Sequence, residues 1–247
     1  MNKAQEAFKA LKELKCYDLS THFHQNMPNY PASPNMWIVP DVQTIGRNGF
    51  YAQVLIMGEH VGSYIDAPLH TVAGGKAIDE FPGDYFIAPY KKYAFDEFFE
   101  LHAGLMIGMD MVRTVESGLD IKPEEGDVIL IQEGWAKRYY NPDAKTNKER
   151  DWYATNCPGL KDEVMEYFAS KKIKAIGFDN ANGEGGLTDG VGQSFAGHTT
   201  YFHPNGICIM ENFTGDMTPA PPEGLFVAIP LPIGNGSGSP VRPLLFG

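Results

Sequence analysis

The chain has few cysteines and no long apolar run. Only Cys16, Cys157 and Cys208 occur, and three scattered cysteines cannot all pair with one another. This pattern fits a reduced compartment better than a disulfide framework, so we expect a cytoplasmic protein. No segment approaches the roughly 18 apolar residues that cross a bilayer, and the N-terminus lacks the apolar run of a signal peptide. The sequence therefore predicts no membrane association.

Basic residues are scarce as well. The 20 Lys and Arg are outnumbered by 31 Asp and Glu, which gives a formal net charge of −11. An acidic chain without a basic stripe is a poor binder of nucleic acid or of anionic membranes. We expect a small-molecule partner instead.

The 247 residues are 43% hydrophobic, which is enough for one large core. No shift in composition and no repeat marks a boundary, so we expect one domain over residues 1–247. Helical periodicity marks residues 1–14 and 158–171, while a proline-dense loop covers 27–34. Apolar segments predict five strands, at residues 50–58, 126–132, 174–179, 206–211 and 224–231. Strands outnumber helices in mixed order, which favours an α/β or α+β fold with a mixed sheet.

Two glycine-rich tracts, residues 182–186 and 234–239, lack the lysine of a phosphate-binding loop and the spacing of a dinucleotide-binding turn. We interpret both as loops whose main role is connection.

One segment combines metal-binding residue types at close spacing. His60, Asp66 and His70 lie within eleven residues, directly after a predicted strand. Imidazole and carboxylate together suit zinc or manganese. Gly62 and Pro68 make a regular helix unfavourable here, so the ligands would come from a shaped loop. Two histidines and an aspartate in a loop also arise by chance, and the segment alone leaves both interpretations open.

A second segment carries His198, His203 and Glu211, the last at the end of a predicted strand. A carboxylate in that place could close a metal site with His60 and Asp66. Each residue also has a simple structural explanation, since His203 precedes a proline and Glu211 could lie on the surface.

The first segment resembles the motif H-x-G-T-H-x-D-x-P-x-H of the cyclase family, which includes bacterial kynurenine formamidase and isatin hydrolase. Residues 60–70 match six of its seven fixed positions if Ser63 is allowed for Thr, and weaker matches follow in order along nearly the whole chain. The resemblance implies a compact α/β domain of the swivelling β/β/α type, with a barrel-like mixed sheet flanked by helices. Family members form dimers or tetramers, so it also implies a homodimer or homotetramer.

The resemblance further implies a metal-dependent hydrolase of a small cyclic or aryl amide, formamide or lactone. His60, Asp66, His198 and Glu211 match the metal-ligand positions, with zinc or manganese as the metal. His70 matches the general acid/base.

Tyr64 departs from the family pattern, because it occupies the position of the motif's second histidine. A neutral phenol, with a pKa of ~10, is a poor metal ligand. Three outcomes follow: one metal instead of two, recruitment of another ligand, or loss of metal and activity. The candidate substitutes are Glu59, Gln193 and His203, and Tyr64 could instead contact substrate.

Large aromatic residues are candidates for the pocket wall, although such residues more often belong to the core. The candidates are Trp37, Phe50, Phe81 and Trp135. Two other functions stay open: a lyase, dehydratase or isomerase on the same scaffold, and a non-catalytic small-molecule-binding homologue with a degraded metal site. A serine hydrolase is disfavoured, because no G-x-S-x-G turn lies between a strand and a helix.

Overall fold

The computed structural model of the chain describes residues 2–31, 33–34, 36–144 and 146–247, and it describes no side chain at 147 or 148. The proline-dense segment forms a loop as predicted, with its residue Ala32 outside the described residues.

A curled, mixed sheet of nine strands forms the centre of the molecule. The strand order is β1-β13-β11-β5-β7-β9-β10-β4-β12. The strands β5, β7, β9 and β10 run parallel, and the other pairings are antiparallel. The strands of this sheet are β1 (Cys16–Asp18), β4 (Tyr64–Asp66), β5 (Ile87–Ala94), β7 (Val128–Gln132), β9 (Ala175–Phe178), β10 (Cys208–Glu211), β11 (Glu223–Val227), β12 (Gly238–Pro240) and β13 (Leu244–Phe246). This sheet confirms the fold class predicted from the sequence.

Two small strand pairs stand apart from the large sheet. The strands β2 (Trp37–Gln43) and β3 (Ala52–Ile56) form an antiparallel hairpin, and β6 (Met106–Ile107) pairs in parallel with β8 (Gly159–Leu160).

Six α-helices accompany the strands in the described residues. They are α1 (Lys3–Glu13), α2 (Ile45–Asn48), α3 (Met109–Leu119), α4 (Trp135–Tyr139), α5 (Asn147–Thr155) and α6 (Asp162–Ser170). No residue of α1 is fully buried, and Leu11 is partly buried. None of the described helices is both long and apolar enough to cross a membrane.

The central strands bury side chains on both faces, which explains why they appear in the sequence as continuous apolar runs. In β7, Val128 and Leu130 join one core while Ile129 and Ile131 join the other. The first core fills the curl of the sheet, and the second packs against α3 and α6.

The strand predicted over 224–231 ends at Val227, and two other predicted segments contain strands that were not expected. The helix expected over 158–171 begins only at Asp162, because Gly159 and Leu160 form β8 with Met106 and Ile107. The glycine-rich tract at 234–239 is not a loop throughout, because Gly238 and Ser239 belong to β12 and pair with β4.

Candidate active site

A cavity of about 610 Å³ opens beside the end of the parallel strands. Its polar wall contains six of the residues singled out from the sequence motifs: His60, Tyr64, Asp66, His70, His198 and Glu211. The structure therefore brings together two segments that lie more than a hundred residues apart in the chain.

Strand pairing places three of these side chains on one face of the sheet. Tyr64 lies directly opposite Glu211, and Asp66 lies opposite Ile209. Opposite residues of an antiparallel pair share a face, and so do residues two apart in one strand. Tyr64, Asp66 and Glu211 therefore point to the same side. All three side chains are buried.

His198 comes from a π-helical turn, Gly197–Tyr201, that lies before β10. Such turns are rare and often occur at functional sites. Gly197 is required here, because a Cβ atom at this position would lie 2.6 Å from the carboxyl carbon of Glu184. The close contact between Gly197 and Glu184 places His198 beside the buried carboxylates of Asp66 and Glu211.

Three atoms of different residues converge at this point. His198 Nε2 lies 3.5 Å from an oxygen (Oδ2) of Asp66 and 4.0 Å from an oxygen (Oε1) of Glu211. One ligand atom from each residue can be chosen so that all lie within 4.8 Å of one another. One nitrogen and two carboxylate oxygens are a donor set that zinc or manganese accepts, so these residues fit a divalent metal.

The far side of each of these groups is held by another residue. His198 Nδ1 lies 2.9 Å from Glu184 Oε1. His60 Nδ1 bonds to Asp66 Oδ1, and the Tyr64 hydroxyl donates to Glu211 Oε2. A histidine that ligates a metal usually has its other nitrogen fixed by a carboxylate in this way.

The electrostatics of the cluster reflect three carboxylates in a buried space. Burial and the charge of Asp66 raise the pKa of Glu211 to about 8. Burial also opposes ionisation of Asp66, but hydrogen bonds from His198 and His60 lower its pKa below the usual range. Burial opposes a charge on His198, yet Glu184 raises its pKa well above the usual value. A cation between Asp66 and Glu211 would relieve their repulsion, which supports the fit of a metal.

His70 lies at the mouth of the cavity, in a 3-10 turn, Pro68–His70. Its ring centroid is 4.2 Å from that of His60 and 6.0 Å from that of His198. Among the described residues its imidazole has no hydrogen-bond partner, so both nitrogens are available to a bound molecule. Partial desolvation lowers its pKa, and the charges of His60 and His198 act in the same direction against that of Asp66.

His203 is buried beneath this group and does not line the cavity. Thr71 donates to the carbonyl of His198 and accepts from His203 Nδ1, both at 2.7 Å. Burial and the charge of His198 lower the pKa of His203 to about 3. The residue therefore connects the turn of His70 to the turn of His198, and it lies outside the residues that line the cavity.

Two other candidate ligands are engaged elsewhere. Gln193 lines the cavity, but its side-chain amide donates to the carbonyl of Gly104. Glu59 accepts hydrogen bonds from the backbone and the hydroxyl of Ser237.

None of the four large aromatic residues considered for the pocket wall is among the residues that line the cavity. Trp37 and Phe50 are exposed on or beside the β2–β3 hairpin, away from the cavity. Trp135 is buried in a separate cluster with Tyr153, and Phe81 packs against the core that fills the sheet. Besides Tyr64, the phenol and phenyl rings that line the cavity are those of Tyr30 and Phe195, and the Phe195 ring stacks on His198 at 4.4 Å.

Sequence reasoning missed the residues that surround the cluster. The glycine-rich tracts do more than connect, since a Cβ atom at Gly183 would lie 2.6 Å from Glu211 and one at Gly238 would lie 2.7 Å from His60. Glu184 and Ser237 lie within these two tracts. A single acid or serine beside glycines carries no motif, so only the close packing of the tracts reveals them.

A family model and two curated relatives match this chain. A family model described as a putative cyclase matches residues 17–184. An isatin hydrolase of Roseibium aggregatum is 26% identical over 201 residues, which are 77% of this chain and 72% of that protein. A kynurenine formamidase of Paracidovorax citrulli is 24% identical over 238 residues, 93% of this chain and 95% of that protein.

Solved structures share the fold over nearly the whole chain. An isatin hydrolase bound to the product analogue thioisatinate superimposes with a TM-score of 0.83 at 21% identity, covering 100% of this chain and 99% of that one. A structure described as a novel cyclase superimposes with a TM-score of 0.78 at 15% identity, covering 99% and 91%.

Proposed function

Because this chain belongs to the cyclase family, we propose that it is a metal-dependent hydrolase of a small cyclic or aryl amide, formamide or lactone. Two relatives, over most of their lengths, are an isatin hydrolase and a kynurenine formamidase. Both names describe hydrolysis of an amide bond in an aromatic compound.

The observation that carries the proposal is the convergence of Asp66, His198 and Glu211 inside one cavity. Burying two carboxylates side by side is costly unless a cation or a proton compensates them. A chain with no use for a metal would gain stability from apolar residues at these positions.

Asp66, His198 and Glu211 would hold the metal, and zinc and manganese both suit the donor set. When bound, such an ion lowers the pKa of water and polarises a carbonyl oxygen. The protein contributes the orientation of the ligands: Glu184 fixes His198, and the register of β4 and β10 fixes the two carboxylates.

His70 is proposed as the general acid/base. Its lowered pKa keeps the ring neutral at pH 7, so a nitrogen can accept a proton from water and return it to the leaving group. Its position at the cavity mouth gives it access to a molecule that the cavity holds.

The cavity wall suits a flat, mostly apolar substrate with a few polar atoms. Leu187, Phe195 and Pro34 supply apolar surface, while Asn182 and Ser194 supply hydrogen-bonding groups. Such a wall, with few polar groups near the reacting bond, is typical of small-molecule sites.

We also propose that two copies of the chain associate through the β2–β3 hairpin. Trp37, Val54, Leu55 and Ile56 are each between 45% and 58% exposed, although neighbouring residues of a strand point to opposite faces. An isolated two-stranded hairpin with both faces uncovered is at best marginally stable in water. Residues 36–58 carry one acidic and one basic residue, so two copies of this acidic chain can meet here without repulsion.

The remaining expectations are one domain over residues 1–247 and a cytoplasmic location. The pairing of β1 with β13 joins both ends of the chain to the same sheet, which supports one domain. All three cysteines are free, and two of them are buried, which supports a reducing compartment.

The proposal is tested by metal analysis and isotope incorporation on the same preparation. Protein purified without chelators is expected to contain zinc or manganese, and Asp66→Asn is expected to lose it. The exposed Asp110→Asn is the matched control and should keep the metal. In heavy-oxygen water, a panel of formamides, lactones and cyclic amides should yield an acid that carries solvent oxygen.

A product formed without solvent oxygen would point to a lyase or isomerase. Folded protein that binds neither metal after incubation with each would favour the non-catalytic binding protein. Either result contradicts the hydrolase.

A further inference from the structure

We propose that His60 and Tyr64 are positioning residues and not metal ligands, so that one divalent ion binds per chain through Asp66, His198 and Glu211. The inference rests on the proposed function, because it assumes that this cluster holds a metal. It assigns His60 a different role from the one that its sequence motif implies.

Each of the three proposed ligands directs one polar atom toward the other two ligands and a second polar atom toward a residue that holds it in place. Asp66 turns one oxygen toward His198 and the other toward His60. Glu211 turns one oxygen toward His198 and the other toward the Tyr64 hydroxyl. His198 turns Nε2 inward and Nδ1 toward Glu184. The site thus has three inward atoms and three outer holding groups.

Both ring nitrogens of His60 are engaged in hydrogen bonds. Nδ1 contacts Asp66 Oδ1, and Nε2 lies 2.8 Å from the hydroxyl of Ser237. That hydroxyl is itself fixed, because it donates to Glu59 Oε2 at 2.6 Å and the Ser237 backbone donates to the same oxygen at 2.9 Å. A ligand role for His60 would require breaking one end of this chain of contacts.

Tyr64 holds Glu211 in the same manner. Its position opposite Glu211 in the strand pair places the phenol on the same face as that carboxylate, within reach of it. The hydroxyl is a hydrogen-bond donor to Glu211, and the ring is buried. A phenol that donates here holds the orientation of Glu211, and a neutral phenol oxygen is a poor ligand for a neighbouring ion.

A second ion would need the other candidate group, His60, Asp66 and His70. In that group, His60 and the nearer oxygen of Asp66 are bonded to each other, and His70 lies in an exposed turn. Only one complete set of free ligand atoms is left. Three protein ligands with the remaining positions open to a cavity is the usual form of a catalytic zinc site.

The experiment measures how many zinc ions bind per chain and how many imidazole rings ligate each zinc. Metal-free protein is titrated with zinc in a calorimeter, and the number of imidazole ligands is taken from zinc K-edge X-ray absorption of the loaded protein. We expect one zinc per chain and one imidazole, that of His198. Two zinc ions per chain, or two imidazoles on one zinc, would overturn the inference.

Variants separate a holding role from a ligand role. His60→Gln should keep one zinc and one imidazole, with an affinity lowered about tenfold to a hundredfold. A fall in the imidazole number in this variant would show that His60 is a ligand. If His60→Gln does not fold, the imidazole number of the wild-type protein decides alone.

Tyr64→Phe should likewise keep one zinc and weaken its binding about tenfold to a hundredfold. Tyr93→Phe is the matched control, because Tyr93 is also a buried phenol that donates to a glutamate, Glu116, far from the cavity. Its zinc affinity should be unchanged. Equal zinc affinity in wild type and Tyr64→Phe would contradict the role of Tyr64.

The failure of this inference is distinct from failure of the proposed function. If hydrolysis is intact but two ions bind, or if His60 ligates the zinc, the inference about His60 and Tyr64 fails and the proposed function stands. Absence of zinc binding would remove both.

Discussion

At the scale of single residues, we expect His70 to control how the proposed hydrolysis depends on pH. A general base must be neutral to accept a proton, and the pKa of His70 is lowered from its ordinary value. The acid limb of kcat/KM should therefore lie below about pH 6.5. His70→Ala should lose this limb and lower kcat about 10²- to 10⁴-fold.

The measurement is a pH–rate profile together with metal analysis of both proteins. His102→Ala, a change of an exposed histidine outside the cavity, is the control and should leave the profile unchanged. Loss of metal in His70→Ala would instead make His70 a ligand, and an acid limb that persists without His70 would assign the base to another group.

Glu133 provides a prediction about stability. Burial and the charge of Asp179 raise its pKa well above the usual value, and among the described residues its Oε1 has no hydrogen-bond partner. In the unfolded chain the Glu133 carboxyl ionises near pH ~4.3. In the folded chain the same carboxyl keeps its proton to a higher pH. The contribution of protonated Glu133 to the free energy of unfolding is therefore fully present below pH ~4. It is lost as the pH rises through the pKa of Glu133 in the folded chain.

Glu133→Gln keeps the shape of the side chain and removes its charge. The free energy of unfolding of this variant should exceed that of the wild type by at least ~1 kcal/mol at pH 8 and should equal it at pH 4. Urea unfolding at the two pH values measures this. Glu125→Gln, which changes an exposed glutamate, should be neutral at both. An equal effect of Glu133→Gln at pH 4 and pH 8 would contradict the assigned ionisation.

The sequence predicted the residues of the candidate site better than their surroundings. Asp66, His70, His198 and Glu211 carry recognisable chemistry, and the structure gathers them in one cavity. Trp37 and Trp135 were predicted to contact substrate because large aromatics often do, but the side chain alone does not tell an exposed hairpin or a core from a pocket wall. Glu184 was missed because its role depends on a turn more than ten residues away.

At the scale of elements, the exposed apolar side chains of the β2–β3 hairpin predict that two copies of the chain associate there. Ile56→Asp places a charge on the proposed contact and should shift the protein from dimer or tetramer toward monomer, since a buried unpaired charge is costly. The measurement is molar mass by light scattering after gel filtration, at several protein concentrations. Ile229→Asp is the matched control, because Ile229 is 53% exposed and lies outside the hairpin, compared with 58% for Ile56.

A wild-type protein that is monomeric at all concentrations, or an Ile56→Asp protein with unchanged mass, would show that the hairpin does not join two copies.

Local patterns predicted the central strands because each is apolar on both faces, and they failed where pairing partners are distant. Gly159 and Leu160 have the composition of a helix start, but Met106 and Ile107 draw them into β8. Gly238 and Ser239 have the composition of a loop, but β4 draws them into the sheet. Both errors arise from partners more than fifty residues away, which no local window contains.

At the scale of the whole molecule, metal binding should be visible as thermal stability. A ligand that binds only the folded state at a hundredfold excess over Kd contributes ~2.7 kcal/mol, and each kcal/mol shifts Tm by ~2–4 °C at this size. Removing the metal with a chelator should therefore lower Tm by about 5–10 °C, and zinc or manganese should restore it. Differential scanning calorimetry of the treated and reloaded protein tests this, with Asp66→Asn as a protein that should not respond.

The position of β4 has a consequence for biosynthesis. This strand carries Asp66 in the first third of the chain, yet its two neighbours in the sheet are β10 and β12, near the end. About 145 residues must follow Asp66 before Glu211 exists, which takes roughly 7–30 s at ~5–20 residues per second. During that interval the motif is present on the ribosome with no strand to pair with and no complete set of ligands. The proposed set of metal ligands is therefore complete only after most of the chain has been synthesised.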